Sequence, residues 1–129
     1  MEKHILELQQ VSMVYGTVNA LTAIDLHVRE GEWLAIMGPS GSGKTTLMNI
    51  IGCMDKPSFG KVVLDGQDVT AATMRELTAI RRDKIGLIFQ QFHLVSYLTA
   101  LENVMMAQYY HSMVDEREAM AALERVGLG

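Results

Sequence analysis

At 129 residues, 49% hydrophobic and 20% charged, the chain has the length and balance of one globular domain with a real core, which excludes a disordered or low-complexity protein. A net charge of −4 supplies no broad basic field, so nucleic acid and anionic lipid are disfavoured as direct partners. The single cysteine, Cys53, excludes an internal disulfide or a cysteine-cluster metal site; no stretch approaches the roughly 20 apolar residues of a membrane span, and Met1-Glu2-Lys3-His4 opens no signal-peptide pattern. A cytoplasmic chain without direct membrane insertion is expected.

In chain order, Leu6 and Leu8, then Val11 and Met13, alternate with polar residues, as do Ile24, Leu26 and Val28, which predicts two half-exposed antiparallel strands. Arg29-Glu30-Gly31-Glu32 reads as a turn into Trp33–Met37, an unbroken apolar run expected to be a strand buried on both faces. A helix is predicted over Thr45–Ile51, stopped by Gly52, with Cys53 a small buried side chain at its end. Lys61–Leu64, a turn at Asp65-Gly66 and an extended piece to Val69 form a second small antiparallel element. Thr73-x-x-Glu76, Thr99-x-x-Glu102 and Asp115-x-x-Glu118 carry helix-start spacing, and Ile85–Phe89 reads as another buried strand. Met105, Met106, Met113 and Met120 are expected in helix cores. None of His4, His27, His93 and His111 has metal-ligand spacing, so no histidine metal site is expected.

Between the apolar run and the first helix stands Gly38-Pro39-Ser40-Gly41-Ser42-Gly43-Lys44-Thr45, which fits G-x-x-x-x-G-K-[ST] at every fixed position. Glycines let backbone N–H groups close around phosphate oxygens, the Lys44 ammonium reaches the β- and γ-phosphates, and the Thr45 hydroxyl can ligate Mg²⁺. The helix N-terminus adds partial positive charge. The segment predicts a site for a magnesium-complexed nucleoside triphosphate, with Thr46 beside it.

Tyr15-Gly16 lies a short way upstream of this loop, and Ile85-Gly86-Leu87-Ile88-Phe89-Gln90-Gln91-Phe92-His93-Leu94 a similar way downstream. With Asn49-Ile50-Ile51-Gly52-Cys53-Met54-Asp55 and Leu98-Thr99-Ala100-Leu101-Glu102-Asn103-Val104, these stretches resemble the nucleotide-binding subunit of ATP-binding cassette (ABC) transporters, in the branch serving lipoprotein release and macrolide-type export. The resemblance covers essentially the whole chain. It implies an α/β P-loop NTPase core with an antiparallel β subdomain. Residues up to about 70 would carry the antiparallel strands with the P-loop strand and helix, and about 71–129 the Q-loop region and the start of a helical subdomain.

By resemblance, Tyr15 stacks on adenine, or else simply closes the first strand, and Val18 adds an apolar edge to the base. Gln90 matches the Q-loop glutamine, which ligates Mg²⁺ or orients the attacking water; its neighbour Gln91 is a rival for that role. Phe92, Leu94, Val95, Tyr97 and Leu98 place apolar side chains in a loop that in the family receives a transmembrane permease, although some of them could pack on the following helix. The family pairs two ATP-binding subunits and works peripherally at the cytoplasmic face of the inner or plasma membrane. The expected cofactors are ATP and Mg²⁺.

The 129 residues contain no Leu-Ser-Gly-Gly-Gln signature, no second apolar strand ending in Asp-Glu and no switch histidine. Asp65 ends an apolar run but is followed by Gly66, so it is read as a hairpin residue. Slow or absent hydrolysis is expected of these residues alone. The alternatives are a non-hydrolysing ATP-binding fragment without a transport role and a P-loop nucleotide kinase. The kinase reading is weakened by the two strands that precede the loop. A GTPase would need a guanine-reading Asn-Lys-x-Asp, which is missing.

Overall fold

Strand β1 (His4–Tyr15) is the spine of the first unit, pairing antiparallel on one side with β2 (Val18–Arg29) and on the other with β3 (Phe59–Leu64). A short β4 (Gln67–Asp68) completes the order β2-β1-β3-β4. The computed structural model describes residues 3–129 and falls into two units, one ending at Ile85 and the other Gly86–Gly129. The first also holds α1 (Lys44–Ile51) and α2 (Met74–Lys84). The second holds α3 (Ala100–His111) and α4 (Glu116–Arg125).

Strict alternation would put Leu8 and Val11 on opposite faces, yet both are fully buried. The ladder shifts register between them, and Gln10 sits at φ 51°, so one bulged residue returns Val11 to the core face. Asp25 on β2 holds the bulge, accepting from the Gln10 amide at 2.8 Å and from its side-chain Nε2 at 2.5 Å. On the other side, Gly60 has φ 96°, and a Cβ there would stand 2.4 Å from the Gln10 carbonyl oxygen. Leu6, Leu8, Val11, Met13, Leu21 and Val62 of the sheet then form one core with Ile50 and Cys53 at α1 and with Leu77 and Ile80 of α2. Burial pushes the Cys53 thiol up, opposed in part by Arg81. It is the small core side chain expected.

The hairpin closes as the Asp-Gly pair predicts. Asp65 (φ 50°) and Gly66 (φ 78°) both take the left-handed conformation that such a two-residue turn demands. Asp65 also pairs with Lys3 at 3.2 Å and with Lys84 at 3.0 Å, tying the start of the chain and the end of α2 to the turn. All three predicted caps form: Thr73, Thr99 and Asp115 each accept from the amide three residues on, and at Thr99 the Glu102 carboxylate returns the bond.

Three expectations are corrected. Trp33–Met37 forms no strand, with Trp33 99% and Met37 88% exposed, and Ile85–Phe89 likewise forms none, with Ile88 102% exposed. A buried parallel strand needs neighbours on both sides, and among the described residues neither run has one. Three of the four methionines fail as a core for a related reason: two helices alone bury Ala119 and Leu123, while Met113 is 80% exposed, Met106 and Met120 are each 37% exposed, and Met105 is half-buried in α3. No helix among the described residues is long and apolar enough to cross a membrane.

Candidate functional site

The loop before α1 is shaped by contacts that side chains would spoil. Gly43, at φ 94°, presses on β2 so closely that a Cβ would meet the Ala20 carbonyl oxygen at 2.7 Å. At Gly38 a Cβ would meet Ser42 Oγ at 2.7 Å, and Gly41 turns the chain at φ 83°. The Ser42 amide closes a tight turn on the Pro39 carbonyl at 3.1 Å, and the Leu47 amide begins the helix on the Gly43 carbonyl at 2.9 Å. The Lys44 ammonium folds back across this loop to donate to the Gly38 carbonyl.

Helix α1 differs from the other three in its first turn. It has no side-chain cap and no acidic residue, whereas α2, α3 and α4 are each capped by a threonine or aspartate and carry glutamate there. Its leading amides and partial positive charge are therefore left for an external acceptor. Gly43 seated on the β2 backbone, a bare helix start without an acidic residue in its first turn, and one ammonium form a donor set. That set fits a polyphosphate. Thr45 is exposed on the first turn, where its hydroxyl could reach a bound cation.

Tyr15 and Val18 face each other across the closing end of the β1–β2 ladder, 46% and 61% exposed. The Tyr15 hydroxyl donates to Asp55 Oδ2 at 3.1 Å, which ties the ring to the segment just after α1. Partial desolvation, then the Asp55 carboxylate, raise its pKa above the usual tyrosine range; Thr46 opposes them. The fold thus brings Tyr15 and Thr46 together and seats Gly43 against β2, so an exposed ring and edge flank the start of the P-loop helix.

Gln90 and Gln91 belong to the second unit. Both are exposed at a bend, bracketed by an edge-to-face contact of Phe89 with His93 at 4.7 Å. His93 has φ 51°, so the chain reverses there, and the geometry favours neither glutamine over the other. In the following loop Phe92, Leu94 and Tyr97 are exposed at 86%, 67% and 87%, while Val95 and Leu98 are half-buried. Asn103 staples this loop: its Oδ1 accepts from the Val95 amide at 2.9 Å, and its Nδ2 donates to the Val95 and Leu98 carbonyls. Sequence reasoning assigned Asn103 no role. An amide four residues inside a helix, after an apolar loop, was the available signal.

The family model described as ABC transporter matches residues 21–129, and the chain belongs to that family. It is 50% identical over 117 residues to the macrolide export ATP-binding/permease protein MacB 1/2 of Paracoccus denitrificans, covering 88% of this chain and 18% of that protein. It is 46% identical over 127 residues to the uncharacterized ABC transporter ATP-binding protein MJ0796 of Methanocaldococcus jannaschii, covering 93% of this chain and 54% of that one. Among solved structures, the dimeric post-hydrolysis state of the ATP-binding cassette MJ0796 bound to ADP and Pi superposes with a TM-score of 0.83 at 45% identity, over 92% of this chain and 54% of that one. The chain has the P-loop NTPase fold of the ABC cassettes and spans about half, or less, of these relatives' lengths.

Proposed function

We propose that the chain is the N-terminal portion of an ABC transporter's ATP-binding subunit, holding Mg·ATP for a partner permease engaged in export or lipoprotein release. The observation that carries the reading is the donor set around Gly38–Thr45: Gly43 pressed on the β2 backbone without room for a Cβ, an uncapped helix start and the Lys44 ammonium. Gly38, Pro39, Ser40, Gly41, Ser42 and Gly43 wrap the phosphates with backbone. Lys44 exchanges the Gly38 carbonyl for phosphate oxygens, and the Thr45 hydroxyl ligates the cation; Thr46 supports the first turn. Bound Mg·ATP supplies the phosphoanhydride whose cleavage powers transport. Tyr15 stacks on the base, a contact of roughly 1–3 kcal/mol, with Val18 at its edge.

The exposed Phe92, Leu94 and Tyr97 support a permease-docking role for that loop, since an apolar surface held in place by Asn103 is suited to receive a partner. Docking there places the chain at the cytoplasmic face of the membrane, and a second ATP-binding subunit completes the assembly. The 129 residues contain no Asp-Glu strand end to serve as general base, so phosphate release by this polypeptide alone is expected near background.

Displacement of a fluorescent ATP analogue tests the site. ATP is expected to displace it at lower concentration than inorganic triphosphate does, and Tyr15→Ala to shrink that advantage. Equal potency of ATP and triphosphate on the wild-type chain would remove the adenine contact from the proposal, and no displacement by either would remove the site.

A further inference from the structure

Spacing along the sequence separates His4, Glu7 and His27, but the sheet unites them. Glu7 pairs directly with His27 across the β1–β2 ladder, while His4 pairs with Arg29. Because Leu6 already pairs with Val28, the register slips by one residue at Ile5. That slip puts His4 and Glu7 on one face, although an odd spacing in a regular strand would oppose them. His4 Nδ1 lies 3.0 Å from Glu7 Oε1, the two imidazole rings lie 5.0 Å apart, and one ligand atom from each of the three residues falls within 4.8 Å of the others. His4 and Glu7 are half-buried and His27 is exposed.

We propose that His4, Glu7 and His27 form a binding site for a divalent first-row transition metal of the Zn²⁺ class. Two imidazole nitrogens and one carboxylate oxygen are a donor set for such ions, whereas Mg²⁺ and Ca²⁺ favour oxygen alone. Tetrahedral zinc at its usual bond lengths sets ligand atoms about 3.3 Å apart. The His4–Glu7 pair is already that close, and the exposed His27 has the freedom to swing inward. The metal takes the place of the hydrogen between His4 Nδ1 and Glu7 Oε1, and the neutral imidazole then carries its one proton on Nε2. A glutamate carboxyl is ionised at neutral pH, so the ligating anion is present. The Lys3 ammonium is engaged by Asp65. A bound ion would bolt β1 to β2 at the end of the hairpin remote from Tyr15 and Val18, independently of the nucleotide reading.

The test is calorimetric titration of the chain, free of any polyhistidine tag and of nucleotide, with ZnCl₂, alongside Co²⁺ titration followed by visible absorption. One Zn²⁺ per chain, binding at least about tenfold weaker in Glu7→Gln and in His27→Gln, and unchanged binding in Lys44→Ala, His93→Gln and His111→Gln are expected. Circular dichroism of each variant verifies folding, and Zn²⁺ should raise the thermal midpoint of the wild type but not of His27→Gln. No one-site isotherm in the folded wild type overturns the proposal, as does full-strength binding in both Glu7→Gln and His27→Gln.

Discussion

Gly60 is the position where a single methyl should do most damage to the first unit. Its φ of 96° already disfavours any L side chain, at a cost of roughly 1–2 kcal/mol. A Cβ would also stand 2.4 Å from the Gln10 carbonyl oxygen and 2.6 Å from Val11 Cα, both backbone atoms of the bulge. No rotamer relieves that contact. The bulge or the β1–β3 ladder must move, and with it Val11, a fully buried member of the core. Gly66 is the internal control, because its φ is 78° but nothing lies within 4 Å of an added Cβ. Gly66→Ala therefore isolates the conformational cost, about 1–2 kcal/mol, and Gly60→Ala should exceed it by about 2 kcal/mol or more. Urea unfolding followed by circular dichroism reads the difference as a gap of about 1 M in midpoint at typical slopes. Equal midpoints for the two variants would refute the bulge as the reason for Gly60.

Asp65→Asn should loosen the tie from Lys3 and Lys84 to the hairpin turn. Because the Lys84 contact, then the Lys3 contact, lower the Asp65 pKa in the folded state, its stabilisation is present above about pH 4 and fades as pH falls through the folded value. The stability difference between wild type and Asp65→Asn should accordingly shrink on acidification and with added salt; a difference that grows at low pH would contradict the ion pairs. In the second unit, Thr99→Ala should cost about 1 kcal/mol by removing the capping box at α3, read as faster amide exchange over the first turn. Asn103→Ala should free the Val95 amide, raising its exchange rate while leaving α4 unaffected; unchanged protection at Val95 would dismiss the staple.

What could be read from sequence was what is local. The three helix starts rest on a side chain and an amide three residues apart, and the 65–66 turn on two adjacent residues, so each was legible. So was the P-loop, whose glycines and lysine are contiguous. The apolar runs at 33–37 and 85–89 were misjudged because hydrophobicity reports a wish for burial without saying which strands provide it. The histidine cluster was dismissed because ligand spacing was sought along the chain, whereas its members meet through cross-strand register and a slip at Ile5. The bulge at Gln10 did leave a trace, the three-residue step from Leu8 to Val11, but its partners, Asp25 on β2 and Gly60 on β3, are remote in sequence.

The central claim is that Gly38–Thr45 holds a nucleotide triphosphate, and calorimetric titration of the purified chain with Mg·ATP tests it most directly. One Mg·ATP per chain is predicted for the wild type, with binding abolished in Lys44→Ala and weakened about 5- to 150-fold in Tyr15→Ala, the equivalent of roughly 1–3 kcal/mol. A folded wild-type sample that takes up no ATP, or a Lys44→Ala variant that binds as tightly as the wild type, would contradict it.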